Sequence, residues 1–269
     1  MPVRLTLPPT LAQRIAGSAR PQIGMWVCSG SPLVAEICAG SGLDWLLIDM
    51  EHAPNGLESV LAQLHAVAPY PVAPLVRVPV NDPVVIKQVL DLGAQNLLVP
   101  MVDSAEQAAA AVRAVRYPPN GIRGVGSALS RGARWNRVDG YLASADDTIS
   151  LTVQIETATA VQHVEAMAVT PGIDAIFVGP SDLAASMGLL GQQEHPDVIA
   201  AVEHAIAAGV RLGVAVGVNA FVPATAERYL AAGASFVLVA ADVSVLARSS
   251  EALADRWIGE DAAAPRASY

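Results

Sequence analysis

The chain has 269 residues, of which 53% are hydrophobic and 15% charged, a balance that excludes intrinsic disorder and allows one large domain or two small ones with a sizeable core. A formal net charge of -9 excludes nucleic acid and anionic membranes as main partners, because both reward lysine and arginine; a small anion held by a local arginine remains compatible. No apolar run approaches the roughly 18 residues of a membrane span. No stretch resembles a secretory leader, and Cys28 and Cys38 are the only cysteines, so free thiols in a reducing cytoplasm are expected.

Short apolar runs then alternate with helical patterns. The strand candidates are 23–28, 45–50, 74–78, 96–101, 150–156, 175–179, 212–216 and 236–240. Between and after them stand SPLVAEICAGSG, GLESVLAQLHAVAP, DPVVIKQVLDLG, SAEQAAAAVRAVR, ATAVQHVEAMAV, PDVIAAVEHAIAAG, PATAERYLAAG and SVLARSSEALADRW. Several open on Ser, Asp or Pro and close on Gly, as helix ends do. Eight strand–helix units whose strands are too apolar to have a wet face predict a (β/α)₈ barrel, a single domain over 1–269. A doubly wound sheet is the alternative, but it ordinarily uses fewer strands, and no GxGxxG turn follows the first strand.

One connection breaks the rhythm. Residues 117–148 contain Arg123, Arg131, Arg134, Arg137 and Trp135 with five glycines, and this content fits a loop that closes on an anionic ligand or a subunit neighbour better than a solvated mobile loop. The final GEDAAAPRASY is expected to be frayed or dependent on a partner.

Chemistry in such a barrel sits at the C-terminal ends of the strands. LLIDMEHAP (46–54) runs from an apolar strand into Asp49, Glu51 and His52. Arg77, in PLVRVPVND, ends the next strand, where a buried guanidinium must meet a carboxylate of the protein or of a ligand; Asp49 and Asp91 are the structural partners to consider. Gln154 and Glu156, in VQIET, are two apart and share one face. Asp182 follows the sixth strand in VGPSDLA, read as a loop with Gly179, Pro180 and Ser181.

Two carboxylates from adjacent strands can hold a hard divalent metal, form an acid–base pair, or make unrelated salt bridges. A metal completed by water and substrate oxygens fits best. No His or Cys stands nearby in sequence to make a zinc site, so Mg²⁺ or Mn²⁺ is the natural ion, with Co²⁺, Ni²⁺ or Zn²⁺ as substitutes. Of the five histidines, His65, His163 and His204 fall in helical patterns and His195 opens a helix. His52 alone stands at a strand end beside carboxylates, where an acidic neighbour would orient the ring and raise its basicity.

RPQIGMW, LDWLLIDMEHAPN, APYPVAPLVRVPVNDPVVIKQVLDLGAQNLLVPMV, RYPPNGIRGVGSALSRGARWNR, VQIET and FVGPSDLAASMG together resemble the HpcH/HpaI family of class II pyruvate aldolases, over 20–257 in unbroken order. The resemblance implies a (β/α)₈ barrel assembled as a homohexamer, a dimer of trimers with exchanged C-terminal helices. It places the metal on Glu156 and Asp182, with Gln154 beside them and the Ser181 N–H holding the carboxylate of pyruvate. It assigns Arg77 to the 2-oxo oxygen and proton transfer to His52, working with Asp49 or with Asp91, through water or from a neighbouring chain.

The implied reaction is reversible cleavage of a 4-hydroxy-2-oxo acid to pyruvate and an aldehyde. The metal and Arg77 would stabilise the enolate, and His52 would take the C4 hydroxyl proton and return one to C3. Trp26 and Phe221 are the candidate walls for the aldehyde. Succinate semialdehyde is the first choice, and a sugar-acid type of aldehyde the second. The rival Schiff-base route meets the single lysine, Lys87, inside a helical pattern away from the mouth. Two other readings are a non-catalytic oxo-acid-binding barrel, which the joint presence of His52, Arg77, Glu156 and Asp182 opposes, and a lyase of CoA esters, for which no basic groove is visible.

Overall fold

Eight parallel strands close into a barrel in the order β1 to β8 in the computed structural model, which describes residues 3–258. The first element was not expected from the sequence. Helix α1 (Leu11–Ala16) is fixed by a reciprocal capping box between Thr10 and Gln13. It plugs the N-terminal end of the barrel, with Leu11 buried among the interior side chains and its N–H donating to Asn96 Oδ1 at 2.6 Å.

Strict alternation follows: β1 (Gln22–Val27), α2 (Pro32–Ala39), β2 (Trp45–Asp49), α3 (Leu57–Val67), β3 (Ala73–Arg77), α4 (Pro83–Asp91), β4 (Asn96–Val99) and α5 (Ala105–Val115). The helix starts obey local chemistry. The Asp82 carboxylate accepts the N–H groups of Val84 and Val85 at the head of α4, and Pro83 needs no donor there. After α5 the long connection holds only α6 (Tyr141–Ser144) and a 3₁₀ turn (Ala145–Thr148). The chain finishes with β5 (Ser150–Ile155), α7 (Ala158–Gln162), α8 (Val164–Ala168), β6 (Ala175–Val178), α9 (Pro180–Ser186), α10 (Pro196–Leu212), β7 (Ala215–Asn219), α11 (Pro223–Ala231), β8 (Phe236–Ala241) and α12 (Asp242–Ile258).

Side-chain alternation divides the apolar residues into two sets. Leu46, Ile48, Val76, Val153 and Ile155 face outward into the large core beneath the helices. Trp26, Trp45, Leu47, Leu75, Phe177 and Phe236 face inward and fill the barrel, with Trp45 and Phe236 meeting edge to face at a centroid distance of 5.4 Å. The period of two continues past this apolar fill, so the next inward positions at the upper rim are Asp49, Arg77, Gln154 and Asn219. Asp49 and Arg77 are direct register partners on β2 and β3.

The predicted barrel is thus observed, with three corrections to its parts. The seventh strand begins at Ala215 instead of 212, because α10 continues through Leu212 to its cap at Gly213; the run VRLGVAVGV is apolar enough for either element. The segment VGPSDLA is not a loop, since Pro180 opens helix α9 with Ser181 and Asp182 in its first turn. The pattern ATAVQHVEAMAV breaks at His163 into α7 and α8. The connection 117–148 lies at the foot of the barrel, where α5 ends and β5 begins. It is bonded there through Arg123 N to Arg116 O at 2.9 Å, Gly132 N to Asp91 O at 3.2 Å, and Leu5 N to Arg137 O at 2.9 Å. Any ligand or neighbour it meets is therefore at the foot, away from the mouth. The expectation for GEDAAAPRASY lies outside the described residues.

Candidate active site

The upper rim surrounds a cavity of about 430 Å³. Trp26, Asp49, His52, Arg77, Gln154, Gly179, Pro180, Ser181, Asp182 and Phe221 line it together, so ten of the residues selected from the sequence meet in one place. Arg77 lies at its centre. Its guanidinium is 4% exposed, donates from Nε and Nη2 to Asp49 Oδ1 and Oδ2 at 2.8 and 2.9 Å, and lies 4.4 Å above the Trp26 ring. A second carboxylate, Glu51 Oε2, stands 2.8 Å from Arg77 Nη1. Burial alone would lower the Arg77 pKa, but the Asp49 hydrogen bonds and charge, with Glu51 and Glu156 behind them, hold it above its ordinary value.

The two candidate partners of His52 stand differently within one chain. Asp49 grips Arg77 and the backbone: its carboxylate accepts the N–H groups of Glu51 and His52 at 3.0 and 3.3 Å. It thereby shapes the turn that carries His52, and it makes no bond to the imidazole. The carboxylate beside the ring is Glu51, 3.9 Å from His52 Nε2, a residue for which the sequence suggested no role. The imidazole itself is 65% exposed and points into the mouth. Asp91 lies elsewhere: as the last residue of α4 it sits at the foot, 3.6 Å from Arg123, because barrel helices run opposite to the strands. Within one chain Asp91 and His52 do not meet.

Glu156 is buried just behind the cavity wall. One carboxylate oxygen accepts the Met101 N–H at 2.6 Å and the other the Gln154 side-chain amide; each oxygen keeps a second lone pair. Burial, reinforced by the charges of Glu51 and Asp182, pushes its pKa up to about 7. Gly179 passes so close that a Cβ there would stand 2.9 Å from the Gln154 amide nitrogen. Asp182 is exposed at the first turn of α9, and Gln154 Oε1 is buried without a partner.

Burial raises the pKa of Glu51 as well as that of Glu156, and with the Asp182 charge beside both and Gln154 Oε1 unpartnered, this is a donor set that a hard divalent cation would relieve. Among the described residues no group of three or more His, Cys, Asp or Glu forms a ready-made cage, so a cation held by Glu156 and Asp182 would have to complete its coordination with water and substrate. The set is all oxygen, as Mg²⁺ and Mn²⁺ prefer.

Four contributors escaped the sequence reading. Asn219 accepts the Trp26 indole N–H at 2.8 Å and was hidden by the misplaced seventh strand. Asp242 accepts the N–H groups of Cys28 and Ser29 at 2.8 and 3.1 Å, fixing the end of β1. Met101 holds a left-handed backbone, φ 53°, at the point where its N–H meets Glu156. Cys28 lines the cavity, but burial and the charges of Asp49 and Asp242 push its thiol up to about 12, which leaves it un-ionised and a poor nucleophile. No lysine lines the cavity, so a Schiff base has no amine to form on.

The sequence pattern of the HpcH/HpaI aldolase/citrate lyase family matches residues 22–249. The chain is 52% identical over 243 residues to the 4-hydroxy-2-oxo-heptane-1,7-dioate aldolase of Salmonella heidelberg (strain SL476), covering 90% of this chain and 92% of that one. It is equally 52% identical over 240 residues to the aldolase of the same name from Escherichia coli (strain SE11), covering 89% and 92%. The structure of an HpcH/HpaI aldolase/citrate lyase family protein from Burkholderia cenocepacia J2315 superposes with a TM-score of 0.88 at 43% identity, over 91% of this chain and 98% of that one. The chain belongs to the HpcH/HpaI aldolase/citrate lyase family, a family of carbon–carbon lyases that act with a divalent metal.

Proposed function

We propose that this protein reversibly cleaves 4-hydroxy-2-oxo acids to pyruvate and an aldehyde, with Mg²⁺ or Mn²⁺ bound by Glu156 and Asp182. The observation that carries the proposal is the convergence on one cavity of Arg77, His52 and Asp182, with Glu156 buried just behind its wall and within electrostatic reach of Asp182 and Arg77. A bound divalent cation would supply a Lewis acid for the carboxylate and 2-oxo oxygens of the substrate. The Ser181 N–H, at the head of α9, suits the substrate carboxylate. Arg77, already fixed by Asp49 and Trp26, presents a preorganised positive charge to the 2-oxo oxygen as negative charge develops there. His52 takes the C4 hydroxyl proton as the C3–C4 bond breaks and returns a proton to C3. Its exposure permits that exchange with solvent or with a neighbouring chain's Asp91.

Succinate semialdehyde, the aldehyde from the relatives' dicarboxylic substrate, is the first choice. Glyceraldehyde or a tartronate-type aldehyde is the second reading; glyceraldehyde, which has no carboxylate, suits a cavity in which, among the described residues, Arg77 is the only arginine or lysine of the lining. A homohexamer with exchanged C-terminal helices also belongs to this reading. In support, α12 leaves Leu246, Leu253, Trp257 and Ile258 exposed. Among the described residues no helix is long and apolar enough to cross a membrane, and the two free cysteines suit a cytoplasmic enzyme.

The test is pyruvate release from 4-hydroxy-2-oxoheptanedioate before and after complete metal removal. Activity should vanish and return with Mg²⁺ or Mn²⁺; turnover that survives stripping would sink the proposal.

A further inference from the structure

At the foot of the barrel, the starts of β3 and β4, helix α1 and the end of α3 surround a second cavity, of about 130 Å³. Its walls include Arg14, Arg131 and Arg134 and, among the described residues, no Asp or Glu, a local inversion of charge in a chain of net charge -9. Arg14 Nη1 donates to Pro71 O at 3.0 Å, Arg131 Nη1 to Leu92 O at 3.0 Å, and Arg134 Nη1 to Arg131 O. All three are thus held by main-chain carbonyls, and among the described residues none makes an ion pair. Arg14 Nε is buried with no partner at all.

The two loop arginines are also pressed together. Arg134 Nη1 and Arg131 Nη1 lie 2.6 and 2.7 Å from the point where a Cβ would stand at Gly93, itself at φ +92°. Arg134, at φ 52°, opens a run of three left-handed non-glycine residues with Trp135 and Asn136, a backbone cost that tertiary contacts must offset. Burial, with the Arg134 charge beside it, lowers the Arg131 pKa to about 10, and burial lowers that of Arg134 as well. Like charges held partly out of water call for a counter-charge. The nearby carboxylates are engaged: Asp44, which feels Arg14, is gripped by both Arg20 nitrogens at 2.7 Å, and Glu36 accepts the Tyr70 hydroxyl at 3.2 Å.

We infer that this cavity is an anion site for a phosphate-sized dianion, held by Arg14, Arg131 and Arg134 at the end of the barrel opposite the catalytic mouth. Guanidinium forks match phosphate oxygens in geometry and charge. The anion would tie the long connection to α1 and to the turn after α4, so its effect is on the fold and not on the chemistry. Inorganic phosphate and the head of a phosphomonoester share the required chemistry.

The test uses the full chain stripped of divalent metal, so that phosphate cannot act through a cation at the mouth. Inorganic phosphate and glycerol 3-phosphate are titrated calorimetrically at ionic strength fixed with sodium chloride, alongside thermal unfolding. One saturable site per chain is expected, with a Tm that rises with phosphate but not with chloride. Affinity should fall at least tenfold in Arg14→Gln and in the Arg131→Gln/Arg134→Gln double variant, while their metal-loaded pyruvate release stays unchanged and Arg77→Gln keeps the affinity. Binding of either probe supports the site, and the tighter one tells whether it serves free or esterified phosphate. Absence of a phosphate-specific signal, unchanged affinity in both cavity variants, or loss of affinity in Arg77→Gln would overturn it. Phosphate-driven dissociation of an oligomer that the cavity variants also fail to form would overturn it too, assigning the arginines to a neighbour's carboxylate. Should the double variant not fold, Arg14→Gln, on the six-residue helix α1, decides alone.

Discussion

The barrel holds arginines at both ends and treats them in opposite ways. At the mouth, Arg77 is closed in by Asp49, Glu51 and the face of Trp26; at the foot, Arg131 and Arg134 have, among the described residues, only carbonyl oxygens as partners. The first is a charge balanced within the chain, so its guanidinium is held rigid and presented to whatever enters the cavity. The second is a charge that no carboxylate among the described residues balances. Burial is therefore not what distinguishes the arginine proposed to act on the substrate. The difference lies in whether the protein has already supplied the counter-charge that fixes its position.

Removing the balanced arginine should have the largest effect. Arg77→Gln leaves Asp49 and Glu51 facing each other without a cation, and both activity and stability should suffer: about 10²–10³-fold in kcat/KM and about 3–5 kcal/mol in unfolding free energy. Arg77→Lys keeps the charge but loses the fork, and should cost on the order of 2–4 kcal/mol of transition-state stabilisation. An unchanged kcat in Arg77→Lys would refute its role at the 2-oxo oxygen.

Glu156 supplies the next effect, of about 3 kcal/mol in stability. Its folded pKa is raised from the carboxylate range to about 7, so between roughly pH 4.5 and 7 the folded chain holds a proton that the unfolded chain has released. This group's contribution to the metal-free protein must therefore weaken as pH rises through that window. Thermal unfolding in chelator at stepped pH should show a steeper decline for the native chain than for Glu156→Gln, and Mg²⁺ should remove the difference. Parallel curves would contradict the assignment.

His52→Ala should lower kcat by about 10²-fold while the affinity for pyruvate, measured by titration, barely changes. A loss confined to binding would deny the ring its proton. Glu51→Gln, which removes a charge shared between Arg77 and His52, should reduce kcat by about tenfold, the value of one hydrogen bond to a charged group. A change of less than twofold would return Glu51 to a bystander.

Much of this contrast was legible along the chain. Arg77 and Asp49 stand at inward positions of adjacent strands, and the period of two that places Trp45 and Leu47 inside the barrel also brings Asp49 to the rim. Gln154 and Glu156 followed from the same spacing. What misled was sequence proximity. Asp49 and His52 are neighbours in the chain, yet the carboxylate turns back to the backbone and across to Arg77, leaving Glu51 beside the ring. Asp91 ends an apolar helix that starts near the mouth, and nine residues of helix carry it to the far end. The long connection announced its arginines without saying at which end of the barrel they would stand.

The sequence alone determined the barrel, its strand count but for the limits of β7, and the faces on which the rim residues point, because these depend on apolar periodicity and short-range helix capping. Tertiary structure decided the partners. Which carboxylates meet Arg77, which ones shift Glu156, and which arginines meet no carboxylate among the described residues depend on distances between side chains far apart in sequence, and electrostatic energy follows distance and burial, not order along the chain.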